Sequence, residues 1–210
     1  MLKVCKVYVS HYGENAYIVY CDNKKEGIVV EPGGNSGDIL AIAQELGIKL
    51  VATVLTHAHY DHYAGISSFD LPIMICAAEK DVFEDGVQNL SSLFTGRSFF
   101  GKADVLLNDG ESITVGDESL LVMHTPGHTK GSMCLYSDGV VLTGDTLFAG
   151  TYGRTDFPTG DAGALARSLS MLFKLPDDTA VFSGHNEETT IGNEKMTNMM
   201  ALRLMESYLW

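Results

Sequence analysis

Apolar residues recur along the chain with two different periods, and the switches between them divide it into extended and helical stretches. Residues 2–9, 15–21 and 27–31 are rich in β-branched and aromatic side chains, with a His-Tyr-Gly-Glu turn between the first two, and read as a three-stranded meander. Pro32-Gly33-Gly34-Asn35 breaks that run. From Ser36 onward the apolar positions of 38–46 take helical spacing, and Gly47 stops the helix. Residues 50–55 form a continuous apolar strand, and 71–76 read as another. A polar segment from 79 to about 89 is expected to be helical. The 90–102 stretch, with Phe94, Phe99 and Phe100 around Gly96 and Arg97, is either a loop over a site or the aromatic filling of a small satellite core. Residues 106–110 and 111–115 suggest a hairpin, and 119–124 a strand interrupted by Thr125-Pro126-Gly127. Residues 132–136 and 140–143 flank Ser137-Asp138-Gly139, an Asp-Gly hairpin signal. A helix over 161–174, a short strand over 179–183 and one methionine-rich amphipathic helix over 193–208 complete the pattern.

The strands share a feature at their ends. The apolar run 51–56 leads into His57, His59, Asp61 and His62, four metal-capable side chains within six positions. In an extended chain, side chains two apart point the same way, so His57 and His59 grip one ion. An Asp-His pair on a following helical start faces a neighbouring position, which suggests two adjacent metals. Three imidazoles and a carboxylate packed together without a cation would repel one another and lose hydration. Residues 120–127 lead to His128, 140–144 to Asp145 and 179–184 to His185, with a glycine just before the polar residue in all three. Glycine lets the backbone turn sharply where ligands must converge. Five of the seven histidines are accounted for in this way. His11 in a turn and His124 upstream of the Thr-Pro-Gly bend are read as ordinary polar residues, His124 at most supporting the site from a distance.

Composition narrows the partners. A chain of 210 residues with 45% apolar content fits one domain with a sizeable core. Fourteen Lys and Arg against 27 Asp and Glu give a formal charge of −13, which repels phosphate backbones and anionic bilayers, so neither nucleic acid nor a membrane is expected as a partner. The N-terminus alternates like a strand and carries no secretory pattern, which points to the cytoplasm, and no run is long and apolar enough to cross a bilayer. Cys5, Cys21, Cys76 and Cys134 are scattered without a Cys-x-x-Cys pair and read as buried reduced thiols. The oligomeric state is not legible.

Taken in order, His57-x-His59-x-Asp61-His62, Thr125-Pro126-Gly127-His128-Thr129-x-Gly131-Ser132, Thr143-Gly144-Asp145 and Ser183-Gly184-His185 resemble the metallo-β-lactamase superfamily over nearly the whole chain. Residues 149–157 and 188–194 look like its glyoxalase II-like (hydroxyacylglutathione hydrolase-like) subgroup. The resemblance implies an α/β fold, an αββα sandwich of two facing mixed β-sheets with helices on the outer faces. It assigns His57, His59 and His128 to one metal, Asp61, His62 and His185 to a second, and Asp145 to both. Two divalent ions are implied, zinc being the expected metal, with iron or manganese compatible with nitrogen and carboxylate donors. The implied activity is a metal-dependent hydrolase that cleaves an acyl-thiol with a metal-bound hydroxide, oriented by Asp61 as the catalytic carboxylate.

Arg154 stands where such enzymes hold a substrate carboxylate, or else pairs with Asp156. Tyr152 and Tyr60 line the pocket or pack at its rim. Glu31 takes the place of a usual Asp before Pro-Gly and is suited to orient a ligand histidine. One domain is expected, without the extra C-terminal helical region that glyoxalase II uses to hold glutathione. The alternative of the same fold, a mononuclear-iron persulfide dioxygenase, shares the Gly153-Arg154-Thr155-Asp156-Phe157 motif but has Asp-Tyr where His185 is followed here by Asn186-Glu187.

Overall fold

The first two strands, β1 (Leu2–Tyr8) and β2 (Asn15–Cys21), pair antiparallel, and β3 (Glu26–Val30) extends the meander. These come from a computed structural model, which describes residues 2–8 and 12–209; Val9 and His11 of the expected first strand and turn lie outside that range. In β2 both residue parities are apolar, and the reason is visible in its packing. Tyr17, Val19 and Cys21 face a second sheet, while Ala16, Ile18 and Tyr20 lie under a helix. That helix, α1 (Ser36–Leu46), ends at Gly47 in the left-handed conformation, as its sequence requires. β4 (Lys49–Val54) and β5 (Ile73–Cys76) follow. After two short helices, α2 (Lys80–Phe83) and α3 (Ser91–Thr95), β6 (Val105–Leu107) closes a six-stranded sheet of order β1-β2-β3-β4-β5-β6, parallel from β3 onward.

The second sheet is built from β7 (Ser112–Val115), β8 (Glu118–His124), β9 (Met133–Ser137), β10 (Val140–Gly144), β11 (Ala180–Ser183) and β12 (Thr189–Thr190). Val30 and Val54 of one sheet meet Leu120, Val122, Leu135 and Leu142 of the other in the central core. Truncating such a side chain to alanine costs about 2–5 kcal/mol. On the outer face of the second sheet lie α4 (Ala162–Leu172) and, from the C-terminal segment, α5 (Ile191–Thr197) and α6 (Met199–Leu209). The layers are those of the expected αββα sandwich. No helix among the described residues is long and apolar enough to cross a membrane. Cys21, Cys76 and Cys134 are buried free thiols and Cys5 is half-buried.

Strand direction positions the site. β3, β4 and β5 run parallel, and β8, β10 and β11 share one direction because β9 is antiparallel to both β8 and β10 while β10 and β11 are parallel. The carboxyl ends within each sheet therefore share an edge.

Three expectations are corrected. Residues 106–110 and 111–115 do not pair with each other: β6 joins β5 in the first sheet and β7 joins β8 in the second, with the left-handed Gly110 carrying the chain across. Alternation predicts strands but not their partners. The 79–89 helix lasts one turn, because the Asp85 carboxylate accepts the main-chain N–H groups of Val87 and Gln88 and turns the chain away. The terminal helix is two helices, broken at Asn198, whose side chain accepts the N–H of Ala201 to start α6 and donates to Glu194 and the Thr151 carbonyl.

Candidate metal centre

Seven side chains converge where the two sets of carboxyl ends meet. His57 and His59 follow β4, His128 follows β8, Asp145 follows β10 directly, and His185 follows β11. A 3₁₀ turn at Tyr60–His62 points Asp61 and His62 to the other side of the cluster. Donor atoms of His57, His59 and His128 lie within 4.8 Å of one another, and so do those of Asp61, His62 and His185. Asp145 lies between the two sets, its Oδ1 3.6 Å from His62 Nε2 and its Oδ2 3.4 Å from His128 Nε2 and 3.7 Å from His185 Nε2.

Glycine works in two ways here. Gly144 has φ +48°, and a Cβ on it would stand 2.0 Å from Thr56 Oγ1, so only glycine admits Asp145 at this turn. Gly184 is needed for space alone: a Cβ there would meet Asp145 Oδ1 at 2.2 Å.

Four of the five rings are held by an oxygen behind them. His62 Nδ1 lies 2.5 Å from Glu31 Oε2. His128 Nδ1 donates to the Arg154 carbonyl at 2.7 Å, His185 Nδ1 to the Gly13 carbonyl at 3.1 Å, and His57 Nδ1 lies 3.2 Å from Thr56 Oγ1. In these four rings Nδ1 faces that oxygen and Nε2 faces the shared centre, the atom that would take a cation. His59 is turned the other way, with Nδ1 2.9 Å from His128 Nε2.

Burial and neighbouring imidazoles hold His57 and His59 well below the ordinary histidine range, and burial lowers His128 as well, so these three rings are neutral donors. Burial also pulls on His62 and His185, but the surrounding carboxylates outweigh it and raise both: Asp61, Asp145 and Glu31 for His62, Asp61 and Asp145 for His185. Burial pushes Asp61 upward, yet His62, His185 and His59 bring it below the carboxylate range.

The donor set fits a cation on an observation independent of the motif. His57 Nε2, His62 Nε2 and Asp145 Oδ1 are buried without a hydrogen-bond partner, an arrangement that costs free energy unless an ion satisfies them. Four of the seven donors are almost fully buried rings, whereas the His185 side chain is 25% exposed and marks the mouth.

Two buried acids back the cluster. Glu31, expected to orient a histidine, does so for His62 and also accepts the N–H and hydroxyl of Thr56. It sits at φ +60°, a strained conformation of the kind that gathers at functional sites. Glu79 was not anticipated. Its carboxylate accepts the N–H of Ala58, between His57 and His59, together with the Thr129 hydroxyl next to His128 and the N–H of Gly131. One side chain thus ties the two loops that carry the three-imidazole group. Glu14 is also fully buried, and burial raises its carboxyl to about 7.

The remaining site candidates are placed differently. Arg154 makes a two-point ion pair with Asp156, both distances 2.6 Å, and its guanidinium lies 4.0 Å above the Phe157 ring, which is edge-on to His59 at 5.7 Å. Its main-chain carbonyl is what touches a donor histidine. Tyr152 packs against the core under α4 and α6, beside Met200, Arg203 and Leu204, which gives its ring a packing role. His124 accepts no ligand duty: its Nε2 bonds the Lys130 carbonyl.

The sequence profile of the metallo-beta-lactamase superfamily matches residues 11–185. The chain belongs to this superfamily. Among its metallo-β-lactamase superfamily relatives, "Hydroxyacylglutathione hydrolase GloC" of Haemophilus influenzae is 32% identical over 207 residues, covering 90% of this chain and 93% of GloC. The crystal structure of BLEG-1 B3 metallo-beta-lactamase superposes with a TM-score of 0.86 at 35% identity, over 95% of this chain and 98% of that one. TTHA1623, solved in a di-iron-bound form, gives a TM-score of 0.79 at 32% identity over 93% and 99%. On this fold, the histidine clusters described above suit a divalent metal.

Proposed function

We propose that the protein hydrolyses the thioester of a small acyl-thiol, of which hydroxyacyl-glutathione is one. The observation that carries the reading is the pair of donor groups, His57/His59/His128 and Asp61/His62/His185, with Asp145 between them. Two divalent cations held there, zinc or iron, would bring the pKa of a shared water toward neutrality and polarise a carbonyl oxygen. The chain's own residues supply the rest. Asp61, kept ionised by His62 and His185, accepts a hydrogen bond from the attacking water and orients its lone pair toward the acyl carbon. The water oxygen bonds to that carbon, the C–S bond breaks, and the sulfur leaves as thiolate, giving a carboxylic acid and a thiol. Glu31 and the Arg154 carbonyl keep His62 and His128 in the tautomers this requires.

GloC supports the substrate class: this chain covers 93% of that hydroxyacylglutathione hydrolase, so the activity in its name does not call for a longer polypeptide. The TTHA1623 comparison makes iron as compatible as zinc. The competing reading, persulfide oxidation at one iron, would leave one complete donor group unused, which favours hydrolysis. We place the enzyme in the cytoplasm, acting on a small molecule rather than on nucleic acid or membrane.

The test is a thioester panel, S-lactoylglutathione included, run beside elemental analysis. Turnover that tracks bound metal, with His59→Ala inactive and folded, is the expected result. Stoichiometric oxygen consumption with glutathione persulfide by an iron-loaded sample would replace this reading with the oxidative one.

A further inference from the structure

Large apolar side chains in water usually mark a binding face when they are contiguous. Val87, Leu93, Phe94, Phe99 and Phe100 are all exposed within a 14-residue span, Leu93 at 69% and Phe100 at 73%. The span lies against the metal centre. α3 packs on the 3₁₀ turn that carries Asp61 and His62. Tyr60, between His59 and Asp61, stacks on Phe99 with ring centres 5.2 Å apart and meets Tyr12 edge-on at 6.2 Å; Tyr12 in turn meets Phe94 edge-on at 5.4 Å.

Tyr12 and Tyr60 wall a recess of about 320 Å³ floored by Gly33 and Gly34. Gly33 cannot be larger, because a Cβ there would stand 1.7 Å from the Asp61 carbonyl oxygen and 2.1 Å from Glu14 Oε1. The backbone that floors the recess is therefore packed directly against the turn that supplies two donors.

Charge decides what enters. The residues that line the recess all have uncharged side chains, and the Arg154 guanidinium is held by Asp156. A charged group finds no partner among them, whereas a neutral apolar one covers the exposed rings. We propose that the aromatic wall of Tyr12, Tyr60, Phe94 and Phe99 binds the acyl chain of the substrate and that this chain is a neutral alkyl or aryl group. The assignment rests on the thioester reading, since it names the acyl arm of that substrate.

The probes are methyl, butyl and hexyl thioethers of N-acetylcysteamine, which cannot be hydrolysed, titrated calorimetrically into the protein with and without metal. Affinity is expected to rise about twofold to fourfold per methylene, as apolar burial predicts. In Phe94→Ser the hexyl affinity falls about tenfold and the gradient flattens, while Phe94→Leu restores most of it; Leu93→Ser, at a more exposed position, gives a smaller flattening and guards against misfolding of the first variant. The S-acetyl, S-butanoyl and S-hexanoyl thioesters show the same ranking in kcat/KM, through KM. A flat thioether series, or a gradient untouched by both serine variants, overturns the proposal. So does a self-associated protein that Leu93→Ser turns into monomer without any chain-length dependence. A clear binding gradient with no thioester turnover would instead remove the thioesterase reading and leave the apolar site standing.

Discussion

The two halves of the metal centre are built on opposite plans. His57, His59 and His128 are neutral, deeply buried rings whose loops are clasped from behind by Glu79 through main-chain N–H groups and one hydroxyl. Asp61, His62 and His185 form a charged group, partly open to solvent, in which Glu31 touches the imidazole itself. In the first half an acid sets the spacing of the ligands; in the second it sets the proton on one of them. Both acids are fully buried and both stand at strand ends of the first sheet, so the difference lies in what they hydrogen-bond rather than where they are.

The largest effect comes from removing what the halves share. Asp145 reaches donors of both groups, and Asp145→Ala is expected to lower thioester turnover by at least about a thousandfold, the scale of losing a group that stabilises the reacting charge. Far-ultraviolet circular dichroism should stay unchanged, because Asp145 follows β10 and belongs to neither core layer. A variant that keeps a tenth of the activity would mean that the halves act separately.

Glu31→Gln separates them. The amide offers one oxygen where the carboxylate serves Thr56 and His62 together, so metal affinity of the His62 half should fall about 10- to 100-fold, the usual cost of losing a partner behind a ligand. Calorimetric titration of metal into stripped protein should then show one strongly weakened equivalent and one weakened far less, because Glu31 is hydrogen-bonded to His57 only through the Thr56 hydroxyl. Equal weakening of both equivalents would erase the distinction drawn above.

How much of this was legible in the sequence follows from the same strand ends. The rule that four strands present a His or Asp just past their ends brought five histidines and two aspartates together, because chain direction fixes which ends share an edge. Applied to every strand, the rule reaches further: Glu31 follows β3 directly, as Asp145 follows β10, and Glu79 lies three residues past β5, as His57 lies three past β4. Glu79 went unnoticed because Ala77-Ala78-Glu79-Lys80 reads as an ordinary helical start, and its burial depends on loops 50 residues away. The pairing of 106–110 with 111–115 failed for a similar reason. Periodicity records which face of a strand is buried, whereas the partner is set by turns such as the one at Gly110.

Glu79→Gln probes the imidazole half, with a smaller effect because main-chain contacts rather than a ligand are altered. Affinity for the equivalent held by His57, His59 and His128 should fall about tenfold, with the other equivalent intact, the mirror image of Glu31→Gln. A pH signature checks that the carboxylate is responsible. Burial raises Glu79 from 4.5 to about 7 against the pull of its hydrogen-bond donors. The folded protein therefore binds a proton that the unfolded chain has released between those values. Its contribution to stability is complete below 4.5 and is lost as pH rises through about 7. Thermal unfolding of metal-stripped protein should weaken over that window in the wild type and less so in Glu79→Gln. Parallel curves would mean that the acid titrates elsewhere.

The smallest effect tests the rim of the imidazole half. Arg154 reaches the centre through its carbonyl, which any residue provides, while its exposed guanidinium is engaged by Asp156 and Phe157. Exposed pairs of this kind contribute little to stability. Arg154→Met should change turnover of neutral thioesters by no more than about threefold, since the bond to His128 Nδ1 is retained. Asp156→Asn is the more telling variant. If the guanidinium can serve a substrate carboxylate at all, freeing it lowers KM for S-succinyl thioesters relative to S-acetyl ones, and an unchanged ratio would restrict Arg154 to holding Phe157 against His59.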